Sequence, residues 1–140
     1  MRSIILSLLV VLSVSVTVFA DQTVIFSGVP ELKISEGGVS RIPEKLTKSS
    51  ATKVRCTITK ADERYYWTSR ENAELMPIIS GAFVTYWALN GSGYVRVVRP
   101  EMRVELRKAG AALGDPEAKF DYVEHLLLGL KSVTYYGKEN

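Results

Sequence analysis

Between Lys53 and Val98 the chain divides into short runs whose side chains alternate with a period of two, separated by turns, and this pattern constrains the fold more than any other feature. Val54, Cys56 and Ile58 fall on one side of such a run, with basic and hydroxyl side chains on the other side. A period of two places successive side chains on opposite faces of a strand. This half of the chain is therefore predicted to form an antiparallel sheet with one buried face.

The clearest alternation covers residues 82–89 and ends at a turn. Asn90-Gly91-Ser92-Gly93 is rich in residues that tolerate positive φ, so it predicts a hairpin whose partner strand is residues 94–98. Shorter β-prone runs precede it. Together these runs predict a sheet of about four to five strands.

After Pro100 the spacing of apolar residues changes from two to that of a helix. Two helical stripes follow, separated by Gly114-Asp115-Pro116: Met102, Leu106, Ala109 and Leu113, then Phe120, Val123, Leu127 and Leu130. Glycine past one helix end and aspartate with proline at the next start are typical boundary residues. The predicted fold class is α+β, with the antiparallel sheet followed by two C-terminal helices packed on one of its faces.

The first 20 residues predict export. Met1 and Arg2 supply positive charge, no ionised side chain follows until Asp21, and Val18-Phe19-Ala20 places small residues where a signal peptidase prefers them. We expect residues 1–20 to be a cleaved signal peptide and residues 21–140 to be one domain, periplasmic or secreted. The alternative is a retained anchor, but the run is short for a span and contains several hydroxyls, so no stable membrane span is expected after cleavage.

Cysteine usage and charge exclude several classes of protein. Cys56 is the sole cysteine, so no intramolecular disulfide can form; a buried structural thiol and an intermolecular disulfide both stay open. The net charge of +3 is too small for a typical nucleic-acid-binding surface. No motif indicates a metal site or a cofactor.

Aromatic and basic residues on the adjoining predicted strands are the main candidate site. Alternation along each strand forces some of them outward, where they suit stacking on a ligand or a protein interface. The candidate binding residues are Tyr66, Trp67, Arg70, Tyr86, Trp87, Tyr94 and Arg96. Cross-strand aromatic pairing that only stabilises the sheet is the alternative interpretation.

Two further constellations support other functions. On a helix, Asp121 and His125 would lie one turn apart, so they could act in hydrolysis of an envelope substrate or offer two metal ligands. Arg99, Arg103 and Arg107 would line one helix face and could bind an anion, although neighbouring glutamates would partly neutralise them.

Residues 65–72 (YYWTSREN), 91–96 (GSGYVR) and 122–125 (YVEH) resemble segments of small exported bacterial proteins that carry no assigned activity. The resemblance implies export and a bacterial source, and it implies no mechanism. The function expected from the sequence is an exported, non-enzymatic module that binds a protein or cell-envelope component through an aromatic, arginine-rich sheet face. The oligomeric state is left open.

Overall fold

The computed structural model describes residues 21–140, and these residues form a closed antiparallel β-barrel of eight strands with a ninth strand beside it. The predicted signal peptide lies outside the described residues. The strands are β1 (Thr23–Gly37), β2 (Ser40–Lys45), β3 (Cys56–Ala61), β4 (Arg64–Trp67), β5 (Ala73–Ser80), β6 (Phe83–Ala88), β7 (Gly93–Val98), β8 (Tyr122–Leu128) and β9 (Lys131–Glu139).

Helices are few and short. They are α1 (Lys48–Lys53) and α2 (Arg103–Ala112), with 3-10 turns at Pro100–Met102 and Pro116–Lys119. Within residues 21–140, none of the helices combines the length and the apolar character that a membrane span requires. The segment that contains α2 connects β7 to β8 at one end of the barrel.

The barrel closes through β1, which is 15 residues long. Its first half pairs with β3 and its second half pairs with β9, so one strand borders both ends of the meander. Register shifts at Val24/Phe26 and at Pro30/Leu32 interrupt these ladders. Such bulges bend and twist a strand, which allows β1 to pass from one neighbour to the other. The edge strand β2 pairs only with β1, and all six of its residues are exposed.

The predicted α+β class, with four to five strands and two C-terminal helices packed on one face, is wrong. A helix does follow Pro100, as α2, but residues 122–128 form strand β8 in the barrel wall. The apolar residues of this stretch fit a helical spacing, whereas the burial pattern alternates: Tyr122 and Glu124 are buried and Val123 is half-buried. A buried glutamate on the inner face cannot be inferred from a hydrophobic pattern, because charged residues are almost always exposed.

Aromatic and aliphatic side chains fill the barrel interior. The buried cluster consists of Phe26, Cys56, Ile58, Trp67, Leu75, Ala88, Val95, Val97 and Tyr122. The Tyr122 ring packs directly against two glycines, Gly28 on β1 and Gly137 on β9. A Cβ at Gly28 would be 2.4 Å from Tyr122 Cε1, and a Cβ at Gly137 would be 2.7 Å from the same atom. These two glycines therefore provide the space that the central tyrosine occupies.

Among the residues that the structure describes, an ion pair lies inside the barrel. Glu124 is fully buried, and its carboxylate accepts a hydrogen bond from Trp67 Nε1 (2.8 Å) and another from Arg70 Nη2 (2.5 Å). The Arg70 guanidinium also lies 5.6 Å from the Tyr135 ring centroid. The Glu124 carboxylate thus connects β8 to β4 and to the turn after it, and Arg70 extends the contact to β9.

Cys56 lies beside this ion pair and is completely buried. Burial, and secondarily the negative charge of Glu124, raises the pKa of the Cys56 thiol well above its usual value. A protonated thiol without solvent access is unreactive, so the structure favours the buried structural role over an intermolecular disulfide.

Removing one partner of the buried pair should be far more costly than removing both charges. We expect Arg70→Met to lower the free energy of unfolding by about 3–5 kcal/mol, because it leaves the Glu124 carboxylate buried without its cation. The double variant Arg70→Met/Glu124→Gln should recover more than half of that loss. Urea unfolding measures both effects.

The control variant, Arg64→Met, disrupts an exposed pair with Glu74 and should lower the free energy of unfolding by less than about 1 kcal/mol. Equal losses for Arg70→Met and Arg64→Met would contradict the role of the buried pair.

Stability should fall as the pH rises into the alkaline range. The folded chain keeps the Cys56 proton, while the unfolded chain releases it above about pH 8.5, so unfolding becomes coupled to proton release. We expect Cys56→Ala to reduce this loss of stability at alkaline pH, measured by urea unfolding at a series of pH values.

Thiol labelling tests the burial of Cys56 directly. In the native wild type, iodoacetamide should modify Cys56 only after denaturant is added. Rapid native labelling would show that the thiol is accessible.

Candidate functional site

The outer wall of β6, β7 and β8 brings several of the predicted site residues together. Trp87 pairs with Tyr94, and Tyr94 pairs with His125. One row further along the strands, Arg96 lies between Thr85 and Val123. All of these side chains point away from the interior, because their neighbours along each strand contribute to the core or to its buried ion pair.

The connection between β7 and β8 returns over this wall. In it, α2 packs closely on the second 3-10 turn, since a Cβ at Gly110 would lie 2.0 Å from Ala118 Cβ. Val98 points outward but is only 8% exposed, because the returning segment covers it. Between the segment and the wall a cavity of about 320 Å³ remains, which we call the α2 cavity.

The α2 cavity has an apolar lining with basic groups among it. Its apolar walls include Phe83, Val98, Leu106, Leu113, Phe120 and Val123. Three arginines also line it: Arg96, Arg103 and Arg107. Asp115 and Glu117 complete the charged lining on the 3-10 turn side. A concave apolar site with a few converging polar groups is the usual form of a small-molecule site.

Arg96 is held in place while its terminal nitrogens remain available. Its Nε donates a hydrogen bond to Thr85 Oγ1 (3.3 Å), and its guanidinium carbon lies 5.7 Å from the Phe83 ring centroid and 5.6 Å from that of Tyr94. Among residues 21–140, no carboxylate forms an ion pair with Arg96, and no hydrogen bond engages its terminal nitrogens. The two aromatic rings and Thr85 therefore orient a planar pair of donors that an anion could engage.

The other two arginines of the cavity are already paired. Arg107 Nη2 donates to Asp121 Oδ1 (2.5 Å), and Arg103 forms an ion pair with Glu139 while its Nε lies 3.7 Å from Asp121 Oδ1. The third member of the predicted arginine stripe, Arg99, lies outside α2 and forms its own pair with a neighbouring glutamate. These internal carboxylates offset most of the charge expected for an anion-binding stripe on one helix face.

An aromatic row continues from Arg96 along the wall. The rings of Trp87 and Tyr94 have centroids 4.9 Å apart, and those of Tyr94 and His125 are stacked at 5.2 Å. Trp87 is 42% exposed. His125 Nδ1 forms a hydrogen bond with Thr134 Oγ1 (2.8 Å), which fixes the orientation of the imidazole. We call Trp87, Tyr94 and His125 the aromatic row.

The remaining predicted site residues lie elsewhere. Trp67 and Arg70 serve the buried ion pair, and Tyr86 points inward, with its ring centroid 5.8 Å from that of Tyr65. Burial raises the pKa of Tyr86, as expected for an inward-facing phenol. Tyr66 pairs with β5 on the outer side of β4, two strands from Trp87. The predicted face is thus divided between the outer wall and the interior.

The predicted Asp121–His125 pair does not form. Both residues belong to the β8 region, where they are four positions apart along extended chain, a distance of about 13 Å. Asp121 accepts hydrogen bonds from Arg107 and from the Glu139 backbone N–H instead. Within residues 21–140, His, Cys, Asp and Glu form no group of three or more that could hold a metal ion.

Sequence reasoning missed the lining of the cavity. The alternation of residues 82–89 predicts a strand at Phe83, but nothing in it indicates that α2 returns over this residue. Phe120 and Val123 belong to the second predicted helical stripe. The sequence contains one signal for this covering. Phe83 and Val98 occupy alternate positions that place them on the face opposite the core, and two large apolar residues there require a covering element.

Searches with this chain against protein-family models, curated proteins and solved structures found no match. The chemistry of the outer wall is therefore inferred from its own contacts and charges.

The two tryptophans should differ sharply in accessibility. Trp87 is 42% exposed and Trp67 is fully buried, so Trp87→Phe should remove nearly all of the emission that acrylamide quenches and leave a blue-shifted spectrum. Tyr66→Phe, which changes an outer aromatic residue without removing an indole, should leave quenching unchanged. Unaltered quenching in Trp87→Phe would place the exposed tryptophan elsewhere.

Proposed function

We propose that this protein is an exported, non-enzymatic binding module and that its ligand is a small amphipathic anion held in the α2 cavity. The single observation that supports this function is an oriented Arg96 at the edge of an apolar cavity, with no carboxylate partner among residues 21–140. The sequence-based hypothesis of an aromatic, arginine-rich binding face is narrowed to Trp87, Tyr94 and Arg96, the three candidates that adjoin on the outer wall.

The size of the cavity limits the apolar part of the ligand. About 320 Å³ is at the lower end of the usual range for ligand pockets. Leu106 and Leu113 on one side and Phe83 and Val98 on the other give the cavity aliphatic and aromatic walls. Such walls favour a single chain or ring system, because burial of apolar surface supplies most of the binding free energy.

Arg96 determines where the anionic group would lie. Its terminal nitrogens are the donors at this site without a carboxylate partner among the described residues, whereas Arg103 and Arg107 already neutralise Asp121 and Glu139. A carboxylate can accept two parallel hydrogen bonds from such a guanidinium. The ligand would therefore place its acid group at Arg96 and its apolar body beneath α2.

Matched ligands and matched variants test this proposal. We expect the full chain to bind decanoate and to bind decanol about tenfold more weakly, because decanol has the same apolar body without the charge. Arg96→Gln should weaken decanoate binding by about tenfold and leave decanol binding unchanged. Isothermal titration calorimetry measures each affinity.

Two control variants make the result specific to the site. Arg99→Gln removes an arginine outside the cavity lining, and Val104→Phe enlarges an exposed residue on α2; both should bind decanoate normally. Val123→Phe, which fills the cavity, should abolish binding of both ligands. Circular dichroism confirms that each variant is folded. Decanoate binding that survives Val123→Phe, or that responds equally to Arg96→Gln and Arg99→Gln, would refute the proposal.

A further inference from the structure

We infer that three of the turns at one end of the barrel, β1–β2, β6–β7 and β8–β9, dock on an anionic lipid surface. We call residues 37–42, 89–92 and 127–132 the turn end. These turns are neighbours, since Gly37 pairs with Lys131 and the Leu127 N–H donates to the Ser92 carbonyl (2.8 Å). This inference does not depend on the α2 cavity, which lies under the β7–β8 connection at the other end of the strands.

Aliphatic side chains project from the turn end. Val39 and Leu130 are 106% and 98% exposed. Ile42, Leu89 and Leu128 are also more than half exposed. Single exposed apolar residues are ordinary, but a contiguous group on adjacent turns marks an interaction surface.

The turns themselves do not require these aliphatic residues. Gly38 (φ 60°) precedes Val39, and Gly129 (φ 67°) precedes Leu130. Positive φ explains the glycine in each turn, but the next position accepts polar residues such as Asn or Ser equally well. Since neither backbone geometry nor the core explains Val39 and Leu130, we assign their role to contact with another surface.

The charged side chains at the turn end are basic in excess. Arg41 and Lys131 are its only charged side chains, and both are basic. Glu36 lies at the same level, because it pairs with Arg41 on one side and with Ser132 on the other. Its exposed ion pair with Arg41 (Nε to Oε1, 3.2 Å) contributes little, and the Lys131 charge remains in excess. Basic side chains beside exposed aliphatic ones complement a membrane surface that contains anionic headgroups.

The shape of the turn end favours lipid over a protein partner. Its aliphatic residues project separately from narrow turns, so a protein would need a matching cavity for each of them. A second copy of the chain offers the same projecting turns, which cannot supply the large complementary area that a stable dimer buries. A lipid surface needs no complementary shape, because its acyl region accepts each side chain while Arg41 and Lys131 remain among the headgroups.

A position-specific label tests this inference in the full chain. Cys56 is completely buried and should not react in the folded protein, so Leu130→Cys can carry a nitrobenzoxadiazole label alone. We expect its emission to shift to the blue and to brighten with vesicles of phosphatidylcholine mixed with phosphatidylglycerol, and to change less with phosphatidylcholine alone. The double variant Arg41→Gln/Lys131→Gln should reduce partitioning about tenfold at low salt.

Ile79→Cys provides the matched control. Ile79 is 70% exposed at the end of β5, at the opposite end of the barrel, so its label should not respond. Equal responses at both positions would overturn the inference, because they would show attachment through another part of the chain. An unchanged label at position 130 with both vesicle types would also overturn it. So would a blue shift that depends on protein concentration without vesicles, which would identify a second copy as the partner.

Discussion

The carboxylate of Glu124, shared inside the barrel between Trp67 and Arg70, is the interaction on which the register of the wall depends. A slip of one residue along β8 would turn Glu124 outward and bring Val123 and His125 inside. The slipped barrel would leave Arg70 without its anion and the Trp67 indole N–H without an acceptor. Because a broken buried pair is costly, this contact selects one register even where apolar packing would tolerate another.

The same register builds the outer wall. With Glu124 fixed inside, Val123 and His125 must face outward on β8, and their partners Arg96 and Tyr94 must face outward on β7. The candidate site is therefore a consequence of a contact on the other side of the sheet. This also explains why aromatic residues that are adjacent in sequence have different roles, since alternate positions belong to opposite faces.

Sequence patterns predicted the local elements better than their arrangement. The alternation before Val98, the turn at residues 90–93 and a helix after Pro100 were all readable from period and turn chemistry. The closure of the barrel could not be predicted in this way. Pro30 is typical of a strand end, whereas in the structure β1 continues past Pro30 with a bulge. For the site, alternation showed that some aromatics must face outward, but it could not show which face was the interior. Trp87, Tyr94 and Arg96 were therefore predicted together with Trp67, Arg70 and Tyr86.

The two proposed binding sites lie one after the other along the outer wall. The turn end comes first, the aromatic row next, then Arg96, and last the apolar part of the α2 cavity. Ser92 and Arg96 are four positions apart along extended chain, a distance of about 13 Å. At this distance, with no shared partner, substitutions at the turn end and at Arg96 should act independently on stability and on equilibrium binding. Coupling between them would instead mean that the ligand itself extends along the aromatic row, from the lipid surface to the guanidinium, which joins the two sites into one.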